Sequence, residues 1–530
     1  MTYISQLHLA KDTPFHLERF TELMLAIENG NYPWYINYNG LNGFGYFLKA
    51  FYCDITLIPF ALIALISNIY IGYKALIFTT MFLSATFMYI VMRKITSNHI
   101  MALIAAILFG FSAYFRYRLL INASISEPLA FAFVPIVFWG FYEIIIGNVK
   151  RWAILSIGYT LVLFTHMLST LLITVFLSLI GLLYIKKIIK EPKRLLYLLY
   201  ASVATILLSA IFLFPFLEQY FANTYYFQTS GVILPQLQGI YTFSKLIEFM
   251  YRGTTALDTI PEFSIGVIIT FSLAMRLYIK GNSKIIRLAD ILTGIGIFFI
   301  LMTLKGVPWN FPPFIFLNSL QFTWRIYSLS VLCFSIGSSI YIGTVIDNLN
   351  LSYHRSYVIV GFIIITSLFI IKSESDQYTE YKKDFEKLDY RYNAKTFRYV
   401  GSEYVPSNLN DLNYIFQESN SFPKVLNADT EINNYIKNRG DISFSITNTN
   451  KDFIELPLLY YKGYRFEKQN GAYLPISQSN NGLVQIEISP NATSQKIKGS
   501  YKGTLIQTIS TIVSTLSFLI LIGWTVYKRR

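Results

Sequence analysis

Asp12, His16, Glu18 and Arg19 fall within eight residues of the stretch KDTPFHLERF, residues 11–20 of an otherwise greasy chain. A carboxylate partly shielded from water can take a proton from an attacking hydroxyl, so Asp12 is the first candidate for a general base. It could equally help cap a helix that starts at Pro14. Asp12 and His16 have the i, i+4 spacing that could hold a divalent cation; solvation of a polar helix face is the more ordinary use of such a pair. Arg325, in LNSLQFTWRIYS, carries a fork that grips phosphate oxygens in bidentate fashion, or anchors an interface beside Trp324. Glu127, in INASISEPLAF, follows Arg116 and Arg118; it could orient a sugar or pair with one of those arginines. His166, in the turn FTHMLST, could serve a ligand or a local hydrogen bond. Glu403 and Tyr404, in VGSEYVPS, suit a sugar-binding edge or a turn before Pro406.

The elements that must position these groups are mostly apolar. The 530 residues are 54% hydrophobic and 14% charged, against about 25% charged in a soluble domain. Apolar runs near 75–92, 99–115, 128–146, 152–167, 168–185, 195–216, 263–280, 287–304, 327–345, 354–372 and 506–527 read as membrane spans, because ~20 helical residues cross a bilayer core. The connections alternate in character. One set is short and basic, from Arg93-Lys94 through Lys150-Arg151, KKIIKEPKR, the stretch with Arg276 to Arg287, and Arg355 to the final Lys528-Arg529-Arg530. Its only acids are Glu191, Asp290 and Asp347, and it carries the whole net charge of +14. Short Lys/Arg-rich loops stay in the cytoplasm, so the charge encodes orientation and excludes nucleic acid as a partner. The C-terminus is expected inside. The other set, including residues 1–54 and 373–505, is expected outside.

Residues 55–71 are either a twelfth span or a helix at the interface. Residues 14–28 read as an amphipathic helix with Leu17, Phe20, Met24 and Ile27 on one face and Asn29-Gly30 as its stop; such a helix can lie flat on a membrane. Residues 373–505 turn polar, with short runs (DISFSI, DFIELPLLYY, AYLPIS, LVQIEIS) separated by the hairpin signals Asn470-Gly471 and Asn481-Gly482. They predict a small external β domain. Cys53 and Cys333 offer neither a ligand set nor a disulfide framework. No secretory signal is expected, since MTYISQLHLA lacks an apolar core. Ionisable residues deep in the spans are nearly absent; the polar groups gather at the outer ends. Proton- or ion-coupled transporters place theirs near the midplane.

The motifs DTPFHLERF, GNYPWYINYNGLNGFGYFLKAFY, SEPLAFAFVPIVFWGFYEII, the His166 turn, LQFTWR, SEYVP and the terminal YYKGYRF, NGLVQIEI and YKGT occur in this order along nearly the whole chain. Together they resemble bacterial YfhO-like membrane proteins, some of which carry the label "6-pyruvoyl-tetrahydropterin synthase-related", which we do not read as pterin chemistry. The group belongs to the GT-C superfamily of polyprenyl-phosphate-sugar-dependent glycosyltransferases. The resemblance implies a polytopic α-helical membrane protein, GT-C-like, with about 11 transmembrane helices plus interfacial helices. Its divisions would be an external N-terminal loop with two interfacial helices (1–74), a transmembrane core (75–372), an extracytoplasmic β-rich domain (373–505) and a C-terminal anchor with a basic tail (506–530). It implies an essential acid in the first external loop, here Asp12, and marks Glu127, His166 and Arg325 as cleft residues; His16, Arg19 and Gln321 are expected to bind substrate with them. The superfamily places a membrane helix before that loop; here about eleven residues that are not apolar precede it, so a segment upstream of Met1 is one expectation. The expected partners are a polyprenyl-phosphate-linked sugar, a cell-envelope glycan or polymer acceptor and the bilayer, in a bacterial cell membrane. A divalent cation is an open option for cofactor. The alternatives are a transporter or flippase of lipid-linked sugars, and a non-catalytic envelope assembly protein.

Overall fold

The computed structural model describes residues 12–229, 241–252, 264–309, 311–312, 314–381, 403–409, 411–426 and 430–527. The basic tail 528–530 and parts of the aromatic loop 217–262 lie outside the described residues. The chain divides into two units. The first holds residues 1–17, 59–205 and 233–388; the second holds 18–58, 206–232 and 389–530.

The first unit is helical. Helices occur at each apolar run expected there, among them Ile69–Thr96, Ser126–Ile145, Ala153–Thr165, Met167–Leu183, Lys284–Leu301, Tyr327–Asn348 and Tyr353–Tyr381. Local rules set several of their ends. Asn68 and Asn98 cap Ile69–Thr96 and the His99–Gly110 helix by accepting main-chain N–H bonds, and Ser97 closes the first of these in the left-handed region. Glycine sets the closest helix approach. A Cβ on Gly140 would meet the Leu155 backbone nitrogen at 2.2 Å, so Ser126–Ile145 and Ala153–Thr165 pack with almost no side-chain spacer.

Among the described residues five helices are long and apolar enough to cross a membrane: Ile69–Thr96, Ser126–Ile145, Thr323–Asn348, Tyr353–Ser373 and Leu505–Trp524. Two broken pairs, His99–Gly110 with Ala113–Ile121 and Lys193–Leu208 with Ala210–Ala222, raise the number to seven if each is one span. The expectation of eleven was finer than this. Ala153–Thr165 has 13 residues and Met167–Leu183 has 17; at 1.5 Å per residue both fall short of a ~30 Å hydrocarbon core. Lys284–Leu301 has 18 residues and carries Lys284, Arg287 and Asp290. The apolar stretch after residue 54 forms the short helix Ile55–Ile66, separate from Ile69–Thr96.

The second unit combines part of the first helix, Thr13–Glu28, with an antiparallel β region. The division falls inside that helix, between Leu17 and Glu18. The helix ends where the sequence says it should: the Asn29 amide donates back to the Leu25 carbonyl, and Gly30 takes φ +66°. Its surroundings differ from the expectation of a polar face in water. Glu18, Arg19 and Glu22 are all buried, while Met24 and Ile27 of the expected apolar face are only partly so. The loop that follows explains this by supplying polar partners, since buried charge must be paired. Asn37 donates to Glu18, Asn39 to Glu22 and Arg19 to Asp54.

Among the described residues eight strands form two four-stranded sheets: β1 (Lys424–Val425), β2 (Thr430–Asn438), β3 (Asp441–Asn448), β4 (Asp452–Leu459), β5 (Tyr464–Lys468), β6 (Ile476–Gln478), β7 (Leu483–Ile488) and β8 (Asn491–Tyr501). The orders are β1-β4-β7-β6 and β2-β3-β8-β5, with antiparallel pairing throughout. In β3 the period of two places Ile442, Phe444 and Ile446 inside. Gly471 and Gly482, at the two predicted turns, take φ +82° and +73°, which a side chain would resist.

Candidate functional site

The Asp12 group lies wholly in the first unit. Asp12 precedes the first helix, and its main-chain carbonyl accepts from the N–H of His16. Among the described residues its carboxylate makes no hydrogen bond into that turn. Instead Asp12 and Asn122 clasp each other: the Asp12 N–H donates to the Asn122 carbonyl at 3.0 Å, and the Asn122 amide donates to Asp12 Oδ2. Burial holds the Asp12 carboxyl above its ordinary range, against the pull of Arg118, the Asn122 hydrogen bond and Arg325, with Glu127 adding to the rise.

Asn122 belongs to an irregular stretch. Ala113–Arg116 is one turn of α-helix, and Tyr117–Ile121 continues as π-helix. Such widened turns recur at functional sites. Ala123 follows at φ +54°, a left-handed conformation that costs a non-glycine residue free energy and is kept where surrounding contacts impose it. The π turn carries Arg118, which is 4% exposed. Its Nη2 donates to Glu127 Oε2 at 2.8 Å, and its guanidinium lies 4.4 Å from the Trp324 ring centre. The Arg118 Nε is buried without a hydrogen-bond partner among the described residues.

Glu127 is the hub. It lies in the first turn of Ser126–Ile145, accepts from the Tyr114 hydroxyl and Arg118, and has Arg325 Nε at 3.8 Å. The pairing of Glu127 with a neighbouring arginine, one of its two readings, is what the structure holds. Arg325 stands in the short helix Thr323–Ile326; its Nη1 donates to the Leu320 carbonyl at 2.8 Å and to Gln321 Oε1 at 3.2 Å. Gln321 itself is left-handed, at φ +64°. His166 separates Ala153–Thr165 from Met167–Leu183 and caps the latter: Nδ1 accepts from the Ser169 N–H at 3.3 Å and lies 2.8 Å from its hydroxyl. It lies within electrostatic reach of Glu127. His16 is buried, its ring edge-on to Phe15 at 5.1 Å.

So Asp12, Glu127, Gln321 and Arg325 come together, with His166 near Glu127. Arg19 is differently engaged: in the second unit it is clamped by Asp54 and the Cys53 carbonyl, each at 2.6 Å, over the Tyr52 ring. Tyr404 stacks on Phe51 at 4.3 Å in a turn, and the Tyr226 N–H donates to the adjoining Val405 carbonyl. Glu143 is held by Trp139, Arg151 and the Asn148 N–H. Sequence reasoning treated Arg118 only as a possible partner for Glu127 and missed Asn122 and Tyr114. The available signal was two arginines, Arg116 and Arg118, inside the apolar run FSAYFRYRLLI.

The groups present suit acid–base and phosphate chemistry. Among the described residues no three His, Cys, Asp or Glu side chains converge as metal ligands, so no step is routed through a cation.

Residues 50–376 match the family described as "6-pyruvoyl-tetrahydropterin synthase related domain; membrane protein". The chain belongs to this family of membrane proteins. A relative from Lactococcus lactis subsp. cremoris (strain MG1363), described as an uncharacterized protein, is 24% identical over all of this chain and 93% of its own length. No solved structure matches.

Proposed function

We propose that the chain is a GT-C type glycosyltransferase with about eleven spans. It moves a sugar from a polyprenyl-phosphate carrier to an acceptor hydroxyl of the cell envelope outside the cytoplasm. The observation that carries this reading is the Asp12 carboxyl, half-buried and oriented by Asn122, in one electrostatic group with Arg118, Glu127 and Arg325.

A general base works best when burial lifts its pKa toward the working pH. Asn122 occupies Oδ2, which leaves Oδ1 to take the acceptor proton. The acceptor oxygen then attacks the anomeric carbon, the bond from that carbon to the phosphate oxygen breaks, and polyprenyl phosphate leaves with inversion. Asp12 passes its proton to water. Arg118 and Arg325 meet the charge that grows on the leaving phosphate, where fixed donors contribute most. Among the described residues the Arg118 Nε–H has no partner to surrender. Glu127 holds both guanidiniums in place, and His166 fixes the turn near it.

The test compares envelope glycans by mass spectrometry in cells with the gene, without it, and with Asp12→Asn. The enzyme loses its product in the last two. A product that survives Asp12→Asn but not deletion would leave a non-catalytic assembly protein, or a carrier of lipid-linked sugar, as the correct reading.

A further inference from the structure

A second, separate site is built into the second unit. A cavity of about 180 Å³ opens between the N-terminal helix, the loop after it and the β2–β3 turn, with Asn31, Trp34, Tyr38, Arg439 and Asp441 in its wall. All of these belong to one unit. Three observations argue for a ligand.

The ring wall is rigid. The Tyr38 hydroxyl bonds to that of Tyr464 at 3.2 Å, and its ring lies so close to Gly440 and Gly45 that a Cβ on either would fall within 2.1 Å and 2.7 Å of it. Two glycines are needed to seat this one tyrosine. Next, polar groups are gathered at the mouth. The Asn31 amide, the Arg439 guanidinium and the Asp441 carboxylate are exposed, make no side-chain hydrogen bond or ion pair among the described residues, and border the same small space, so a ligand there would replace water and no protein contact. Finally, the turn is strained: Arg439 sits at φ +53°, where a non-glycine residue is held only by its surroundings.

We propose that this cavity binds one ring of a neutral saccharide. Sugars present a C–H face to aromatic rings and pairs of adjacent hydroxyls to amide, carboxylate and guanidinium groups, and the wall offers each of these. Its volume suits a single ring and not a prenyl chain. Its acids, Asp441 and the buried Glu22, outnumber Arg439, which disfavours phosphate. A rigid aromatic wall also lowers the ordering cost of binding. The site stands on its own geometry, whether or not Asp12 transfers sugar.

The test uses the full chain in lipid nanodiscs and a panel of methyl glycosides and short oligosaccharides of glucose, galactose and N-acetylglucosamine, read by saturation-transfer NMR. At least one binds, and Asp441→Ala and Asn31→Ala each weaken it at least tenfold without changing the thermal unfolding midpoint. Asp12→Asn leaves binding as in the parent, so failure here and failure of the transferase reading are told apart. The proposal is overturned if no glycoside binds at millimolar concentration, if both cavity variants bind as the parent does, or if Asp12→Asn alone abolishes binding. Should either variant unfold, Arg439→Gln, at an exposed turn position, replaces it under the same criteria.

Discussion

At the scale of single residues the proposed reaction separates the charge that would react, on Asp12, from charges that hold. Arg118 and Glu127 are each about 5% exposed in their side chains. Glu127→Gln leaves Arg118 buried without its counter-charge and is expected to cost about 3–5 kcal/mol, read as a fall in the denaturant or thermal midpoint in detergent. On the proposed reading, Asp12→Asn keeps the shape and removes the base. It is expected to lower transfer by about 10²–10⁴-fold while the midpoint stays. The Asp12 carboxyl is raised by burial, so its charged form is disfavoured in the fold. Activity that needs the carboxylate therefore falls off, as pH drops, already above the ordinary carboxylate range. The folded state also holds a proton that the unfolded state has released across that window, so this group's contribution to stability declines as pH rises through it. A pH–rate profile of the purified chain checks the first statement; a limb at the ordinary aspartate value would contradict the role given to burial.

At the scale of elements, close approach and desolvation set what can change. Gly140 lies against the backbone of the neighbouring helix. Gly140→Val must push the two helices apart and is expected to destabilise by about 1–3 kcal/mol or prevent folding, measured by expression and midpoint. In the β region, burial pushes Lys437 on β2 down to about 8; its ammonium donates to the Pro457 carbonyl. Between pH 8 and 10.5 the unfolded lysine keeps a proton that the folded one has lost, so raising pH across that window favours the fold. The protection factors of the β2 and β3 amides, with intrinsic exchange divided out, should rise over this range, and Lys437→Met should remove the trend.

At the scale of the whole molecule the open quantity is orientation. Both cysteines are buried, so a new one reports cleanly. Asn470→Cys, at the exposed turn between β5 and β6, is expected to react with an impermeant maleimide on intact cells. Labelling only after the membrane is opened would place the β region inside and remove the acceptor side of the proposed reaction. Asp12→Cys, tested in the same way, must report the same side.

Membrane class, the positions of the helices, the β region and its Asn470-Gly471 and Asn481-Gly482 turns were legible in the sequence, because they rest on local period, run length and backbone preference. The helix at residues 13–28 was legible in its stop but not in its surroundings: nothing local says that Asn37, Asn39 and Asp54 will cover its charged side. The site was legible only as separate residues. That Asp12 meets Asn122, that Glu127 gathers Tyr114, Arg118 and Arg325, and that Arg19 turns instead to Asp54, was decided by tertiary structure. Partners up to nearly two hundred positions apart are chosen by burial, where every charge must find a counter-charge or a donor, and no short stretch of sequence encodes which of several it will be.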